Sequence, residues 1–324
     1  MRAIIPVAGE GSRLRPHTYT LPKVLLNVAG KPIIGHILDK IIEESFDEAT
    51  IIIGFMGDKI IKYITSNYKL KVDFIEQEER MGLAHSIYIA KQTIGKEPIL
   101  IILGDTIFDV DLKPVLNSQF TSIGVKYVED PRRFGVAQVQ NGVVTHLIEK
   151  PVHPTTNLAL VGLYWIRNTK LLTDCVTEIV EKDIKTRGEY QLTDALQMMI
   201  DRGEKISTFN VDGWYDCGKP ETLLSTNKHL LSKHGTISKS NGVVIIPPVF
   251  ISPKAKITAS IIGPFTTVAD DAVITDSIVR NSIVSEEADI QKALLDNSIV
   301  GNKAVVKGAF HRVNVGDSSE IDFY

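Results

Sequence analysis

RAIIPVAGEGSRLRP, residues 2–16, sets a short apolar run against a loop of glycine, arginine and proline. A run of this length, ending in a pair of glycines, reads as a buried strand that delivers a loop at its carboxyl end. The glycines let backbone N–H groups come close to an anion, and the Arg13 guanidinium can fork onto phosphate oxygens. Spelling excludes two better-known phosphate loops. The pattern G-x-x-x-x-G-K-[ST] is absent, and G-x-G-x-x-G fails at its last position, where Leu14 stands. A plain turn between two elements would be spelled the same way, so the loop has to be read with its surroundings.

From there to residue 235, short apolar runs alternate with stretches of helical period. Pro32 sits where a helix can begin, and Ile33, Ile34, Ile37, Leu38, Ile41 and Ile42 make one apolar stripe. Residues 49–55, 72–75 and 98–103 read as strands, the last being PILIIL, with helices expected over 58–67 and 83–94. Residues 134–150 read as a hairpin turning at Asn141-Gly142, followed by a strand at 158–166 and helices over 171–182, 193–202 and 220–232. This alternation predicts an α/β fold, a doubly wound, mostly parallel sheet of Rossmann-like type. Such sheets bind ligands at the carboxyl ends of their strands, here Gly9-Glu10-Gly11, Gln77 and Gly104-Asp105.

Past residue 235 the helical period stops. Aliphatic residues recur every five or six positions at Ile245, Ile251, Ile257, Ile262, Val268, Ile274, Val279, Val284, Ile290, Leu295, Val300 and Val306. That spacing fits a parallel β-helix of hexapeptides, in which each flat face points one aliphatic residue inward; three faces per coil predict roughly five coils. An irregular β-rich tail is the alternative. The expected domains are residues 1–235 and 236–324.

Composition narrows the function. A net charge of −3 argues against non-specific nucleic-acid binding, which needs a broad basic surface, but leaves room for a local anion pocket. Cys175 and Cys217 are the only cysteines, too few for a disulfide framework or a four-ligand zinc site, so a reducing cytosol is expected. The apolar run from Ala3 to Ala8 is too short for a signal peptide, and no stretch reaches the roughly 20 apolar residues of a membrane span.

Three further positions carry possible chemistry. Lys23 lies in LPKVLL, fixed by Pro22 before it and by apolar residues after it, and with Arg13 it could neutralise charge on a polyphosphate. Asp105 ends a buried strand, where a carboxylate is either a turn former or a ligand for a hard metal. Asp216, in Gly213-Trp214-Tyr215-Asp216-Cys217-Gly218, is the comparable aspartate elsewhere, and spacing alone does not bring the two together.

The stretch AGEGSRLRPHTYTLPKVLLNVAGKP, residues 8–32, resembles the signature of the sugar-1-phosphate nucleotidyltransferase family. The resemblance continues in order through Gln77 with Gly82-Leu83-Ala84-His85, Leu103-Gly104-Asp105, Phe134-Gly135-Val136, Glu149-Lys150-Pro151, Val161-Gly162-Leu163-Tyr164, Gly188-Glu189-Tyr190-Gln191-Leu192-Thr193-Asp194 and Trp214 to Gly218. With its hexapeptide tail the chain is most similar to the long glucose-1-phosphate thymidylyltransferase branch. The resemblance implies that Gly9, Gly11, Ser12 and Arg13 hold nucleotide phosphates and that Lys23 contacts the reacting ones. Gln77 and Gly82 would read the base, and Asp105 and Asp216 would bind Mg²⁺. Gly135, Glu149 and Val161 would line the sugar, with Lys150 on its phosphate.

Implied too are a short left-handed β-helix, a nucleoside triphosphate (dTTP before UTP) and a hexose 1-phosphate as partners, and a homo-oligomer without nucleic acid or membrane. Rival readings are a UTP–glucose 1-phosphate or GTP–mannose 1-phosphate enzyme, or a regulatory subunit, which would be expected to have lost Lys23, Asp105 or Asp216. Acetyl transfer by the tail is the weaker expectation, since it holds one histidine, His311. Ser12 and Asn27 depart from the family's common threonine and proline, and Cys217 from its usual small residue; an inert filler is expected there.

Overall fold

The computed structural model describes residues 1–234 and 242–309, together with 315, 318 and 320. His311 lies outside the described residues. The chain divides into two compact units, Met1–Leu26 with Lys31–Thr226, and Asn27–Gly30 with the chain from Asn227 onward.

The first unit is built on a nine-stranded sheet. Its order is Lys71–Glu76, Glu48–Ile53, Arg2–Pro6, Ile99–Ile102, Leu158–Ile166, Thr121–Tyr127, Ile206–Asn210, Val143–Glu149 and Gly135–Gln140. The first four strands run parallel, in the register Arg2 opposite Glu48 and Ile99. The strand Leu158–Ile166 runs antiparallel to both of its main neighbours, so the far half of the sheet is mixed. There Gly135–Gln140 and Val143–Glu149 form the expected hairpin, with Asn141 and Gly142 both at positive φ (53° and 76°), as a type I′ turn demands.

The sheet is covered on one face by the helices Leu83–Ile89, Thr169–Glu181 and Leu192–Asp201. Ile4, Ile52, Ile101, Ile123 and Ile166 of the sheet share one buried cluster with Ala84, Ile87, Leu172, Val176, Leu196 and Met199 of the helices. Burying each large aliphatic side chain contributes about 1.5–3 kcal/mol. The helix expected over 83–94 ends at Ile89 and tightens into a 3-10 turn at Lys91–Thr93. Thr93 is the reason: its hydroxyl and its N–H both bond the Ala90 carbonyl (2.8 and 2.9 Å), a local alternative to the α-helical ladder.

The second unit is a parallel β-helix. Its three sheets have four parallel strands each, which makes four rungs among the described residues. The ladders are Ile245–Ile262–Val279–Leu295, Ile251–Val268–Val284–Val300 and Ile257–Ile274–Ile290–Val306, the aliphatic residues singled out above. All twelve belong to one apolar cluster. Corners are turned by residues at positive φ, among them Asp271, Asp276, Asn281 and Asn297, side chains that tolerate this conformation well. Residues 27–30 are stitched into this unit by one buried amide. Asn227 Oδ1 accepts from the Ala29 N–H (2.9 Å) and the Thr267 hydroxyl (2.6 Å), while its Nδ2 donates to the Phe265 carbonyl (3.1 Å). No helix among the described residues is long and apolar enough to cross a membrane.

Candidate active site

Two adjoining cavities open in the first unit, at the carboxyl ends of the parallel strands. The smaller, of about 500 Å³, is lined by Gly9, Gly11, Ser12, Arg13, Lys23, Gln77 and Gly82. The larger, of about 880 Å³, is lined by Gly135, Glu149, Lys150, Val161 and Asp216. Arg13 and Asp105 line both. The fold therefore brings every candidate residue to one or other of two spaces that meet at Arg13 and Asp105.

Local sequence explains how the shared edge is made. Gly11 stands at φ 65°, and a Cβ there would lie 2.8 Å from the Cβ of Lys23, so only glycine lets the loop fold over the lysine. Pro22, at φ −54°, feeds the 3-10 turn Lys23–Leu25, which buries Val24 and Leu25 and drives the lysine stem inward. The ammonium meets Asp105 Oδ2 at 2.9 Å, with the lysine side chain 8% exposed and the aspartate 41% exposed to the cavity. Burial alone would raise the Asp105 carboxyl pKa; Lys23, the Thr106 hydroxyl and Arg13 outweigh it and hold the group below the usual carboxylate range.

Asp216 reaches the same place on a ribbon that periodicity did not reveal. The four-residue strands Thr106–Asp109 and Gly213–Asp216 pair antiparallel with Asp216 opposite Thr106, and the Cys217 N–H bonds the Asp105 carbonyl at 3.0 Å. The two aspartates thus sit at one end of one ribbon. Gly218 keeps the gap beside them open: a Cβ there would lie 2.8 Å from Asp216 Oδ1 and 3.0 Å from Arg13 Nη2. Cys217 is fully buried, and burial pushes its thiol up to about 12, which makes it an unreactive filler at neutral pH.

The donor set can be tested against a metal. Among the described residues no group of three or more His, Cys, Asp or Glu side chains could hold an ion. Two carboxylates, at least one of them firmly ionised, beside a space for phosphates are what Mg²⁺ uses, since it completes its shell with phosphate oxygens and water. The residues present fit that ion.

In the larger cavity Glu149 is clamped. Its Oε2 accepts from the Thr193 hydroxyl at 2.7 Å and its Oε1 pairs with Lys150 Nζ at 3.0 Å. Gly135 is glycine for want of space, because a Cβ would lie 2.9 Å from Glu149 Oε2 and 2.9 Å from Leu160 Cδ1. Phe134 and Trp214 meet edge to face at 4.9 Å beside this group.

Sequence reasoning missed four cations that line the larger cavity, Arg132, Arg133, Arg187 and Lys219. Arg187 also donates to the Lys150 carbonyl at 2.5 Å. Arg187 and Lys219 are single basic residues in loops, and the one local hint was the pair Arg132-Arg133 just ahead of the Phe134-Gly135 motif.

Residues 2–233 match the family model described as Nucleotidyl transferase. The chain is 36% identical over 254 residues to the low-salt glycan biosynthesis nucleotidyltransferase Agl11 of Haloferax volcanii, covering 74% of this chain and 70% of that protein. It is 31% identical over 315 residues to a glucose-1-phosphate thymidylyltransferase of Streptomyces griseus, covering 88% of this chain and 87% of that one. Among solved structures it is similar to a UDP-glucose pyrophosphorylase complexed with UDP-glucose, with a TM-score of 0.63 and 25% identity, over 72% of this chain and 98% of the other.

Proposed function

The chain belongs to the nucleotidyl transferase family, and on that premise we propose that it joins the nucleoside monophosphate part of a nucleoside triphosphate, dTTP first, to a hexose 1-phosphate, glucose 1-phosphate first, releasing pyrophosphate. One observation carries this reading. Two cavities, one glycine-rich and edged by Arg13 and Lys23, the other holding Glu149 and Lys150, meet at Arg13 and Asp105. Two phosphorylated substrates can enter from opposite sides and touch there.

A phosphate oxygen of the sugar 1-phosphate attacks the α-phosphorus in line. The new phosphorus–oxygen bond forms as the bond to the bridging oxygen breaks, and pyrophosphate carries the electrons away. The attacking oxygen is already anionic, so no general base is required. The chain's own contribution is positioning and charge. Lys150 and Arg187 receive the sugar phosphate, Glu149 holds sugar hydroxyls, Gly9, Gly11 and Ser12 cradle the nucleotide phosphates, and Arg13 and Lys23 neutralise charge on the leaving group. Mg²⁺, held by Asp105 and Asp216, supplies Lewis-acid polarisation of the transferred phosphoryl group when bound.

UTP in place of dTTP is the second reading, favoured by the resemblance to the UDP-glucose enzyme. A single methyl group is worth only about 1–3 kcal/mol of discrimination. A regulatory subunit is disfavoured because Lys23, Asp105 and Asp216 are all retained. We place the reaction in a reducing cytosol, consistent with two buried, unpaired cysteines. The deciding assay is pyrophosphate release from dTTP, UTP, CTP, ATP and GTP, each offered with the 1-phosphates of glucose, mannose, galactose and N-acetylglucosamine. Activity is expected with dTTP or UTP and glucose 1-phosphate, and chelation by EDTA should abolish it without unfolding the protein. Silence across the whole panel would refute the assignment.

A further inference from the structure

We infer that His85 is a positioning residue for base recognition, locking the Gln77 amide so that it offers an incoming nucleobase a hydrogen-bond acceptor and no donor. This rests on the smaller cavity being the nucleotide site. Gln77 is 5% exposed and lines that cavity. Its Oε1 accepts from the Ser86 hydroxyl at 2.8 Å, and its Nε2 lies 3.1 Å from His85 Nδ1 and 3.4 Å from the Gly82 carbonyl. A carbonyl cannot donate, so the Gly82 oxygen puts the amide nitrogen, rather than its oxygen, on that side. With Nε2 donating, His85 Nδ1 has to accept, which requires a neutral ring with its proton on the other nitrogen. The ring lies 6.2 Å from both Tyr88 and Tyr190 in stacked geometry, and burial lowers its pKa against the opposing pull of Glu79.

The count then decides what the base must bring. A glutamine amide has two N–H donors and two acceptor positions on oxygen. Both donors are engaged, by His85 and Gly82, and one acceptor position is taken by Ser86. What remains is one lone pair. Thymine and uracil present an N3–H to it, whereas cytosine presents a bare ring nitrogen and sets two acceptors face to face. Gln77 selects among pyrimidines only while its amide cannot flip, and His85, together with the Gly82 carbonyl, prevents the flip.

Replacing the ring by one that neither donates nor accepts frees the second amide N–H and leaves that side of the amide held only by the longer contact with the Gly82 carbonyl, at 3.4 Å. For His85→Phe, KM for the preferred triphosphate is expected to rise about tenfold with kcat nearly unchanged, and preference over CTP to fall by a similar factor, as befits loss of one such constraint. His85→Asn keeps a side-chain carbonyl near the Nδ1 position and should restore both values. His85→Leu serves as a second apolar variant, with thermal unfolding checking that each protein is folded. Unchanged KM and unchanged preference over CTP in a folded apolar variant would overturn the inference while leaving the proposed function standing. Wild-type protein that turns over no triphosphate at all would overturn both.

Discussion

Lys23 and Asp105 lie 82 positions apart in the chain, yet the fold joins them in one ion pair at 2.9 Å. Asp105→Asn keeps the shape and removes the charge, so kcat is expected to fall by about 100-fold or more while the protein still folds, read by steady-state assay beside circular dichroism. The pH dependence follows from the direction of the shift. Asp105 titrates lower in the folded chain than in the unfolded one, so the pair's contribution to stability is complete above the ordinary carboxylate pKa of about 4 and fades as pH falls through the lower folded value. A drop in thermal midpoint between pH 7 and pH 5 that is present in wild type and absent from Asp105→Asn would contradict this. Both residues were legible because each sits in an unusual local setting, one after a proline and one ending a buried strand. Arg132, Arg133, Arg187 and Lys219 were not, since a basic residue in a loop looks the same whether it faces bulk water or a cavity. Thr193 was quoted only as part of a motif, because its bond to Glu149, 44 positions away, exists only after folding.

Periodicity read the elements well wherever one face is buried. It failed for the ribbon of Thr106–Asp109 and Gly213–Asp216, because four residues are too few to display a period and the pairing is entirely non-local. Start positions are enforced by backbone as much as by pattern. Gly82 begins the helix Leu83–Ile89 at φ 106°, and a Cβ there would drive into the Tyr190 carbonyl. Gly82→Ala should cost about 1–3 kcal/mol and raise KM for the nucleotide, whereas Gly95→Ala, with nothing within 4 Å of its Cβ, should change neither. Urea titration and nucleotide kinetics on the two variants separate the cases. The β-helix offers an equally sharp contrast. Ile274 is completely buried in its ladder, and Ile274→Ala should lose about 2–5 kcal/mol. Leu294 is 71% exposed on the outside of a neighbouring face, and Leu294→Ala should leave the denaturation midpoint within experimental error. Inward and outward positions were separable in the sequence because the hexapeptide period marks only the inward ones. Successive rungs lie 16 or 17 positions apart, as from Val279 to Leu295 and Ile245 to Ile262, a little under the 18 of three full hexapeptides because some corners are tighter.

Over the whole molecule the formal charge is −3, so a dianionic substrate gains nothing from the average field. The larger cavity reverses the sign, with Arg13, Arg132, Arg133, Lys150, Arg187 and Lys219 set against Asp105, Glu149 and Asp216. Charges of one sign inside a low-dielectric cleft concentrate counter-ions locally, and added salt weakens this in proportion to how exposed the charges are. Going from about 0.05 M to about 0.5 M salt shortens the screening length roughly threefold. KM for the sugar 1-phosphate is therefore expected to rise several-fold over that range at fixed free magnesium. Because Lys23 and Asp105 form a direct contact that salt screens much less, kcat is expected to stay nearly constant. Removing the outlying charge pair by Arg132→Gln together with Arg133→Gln should flatten the salt response and raise KM at low salt, without changing kcat. A salt-independent KM in the wild-type protein would mean that the field of these cations does not draw in the substrate.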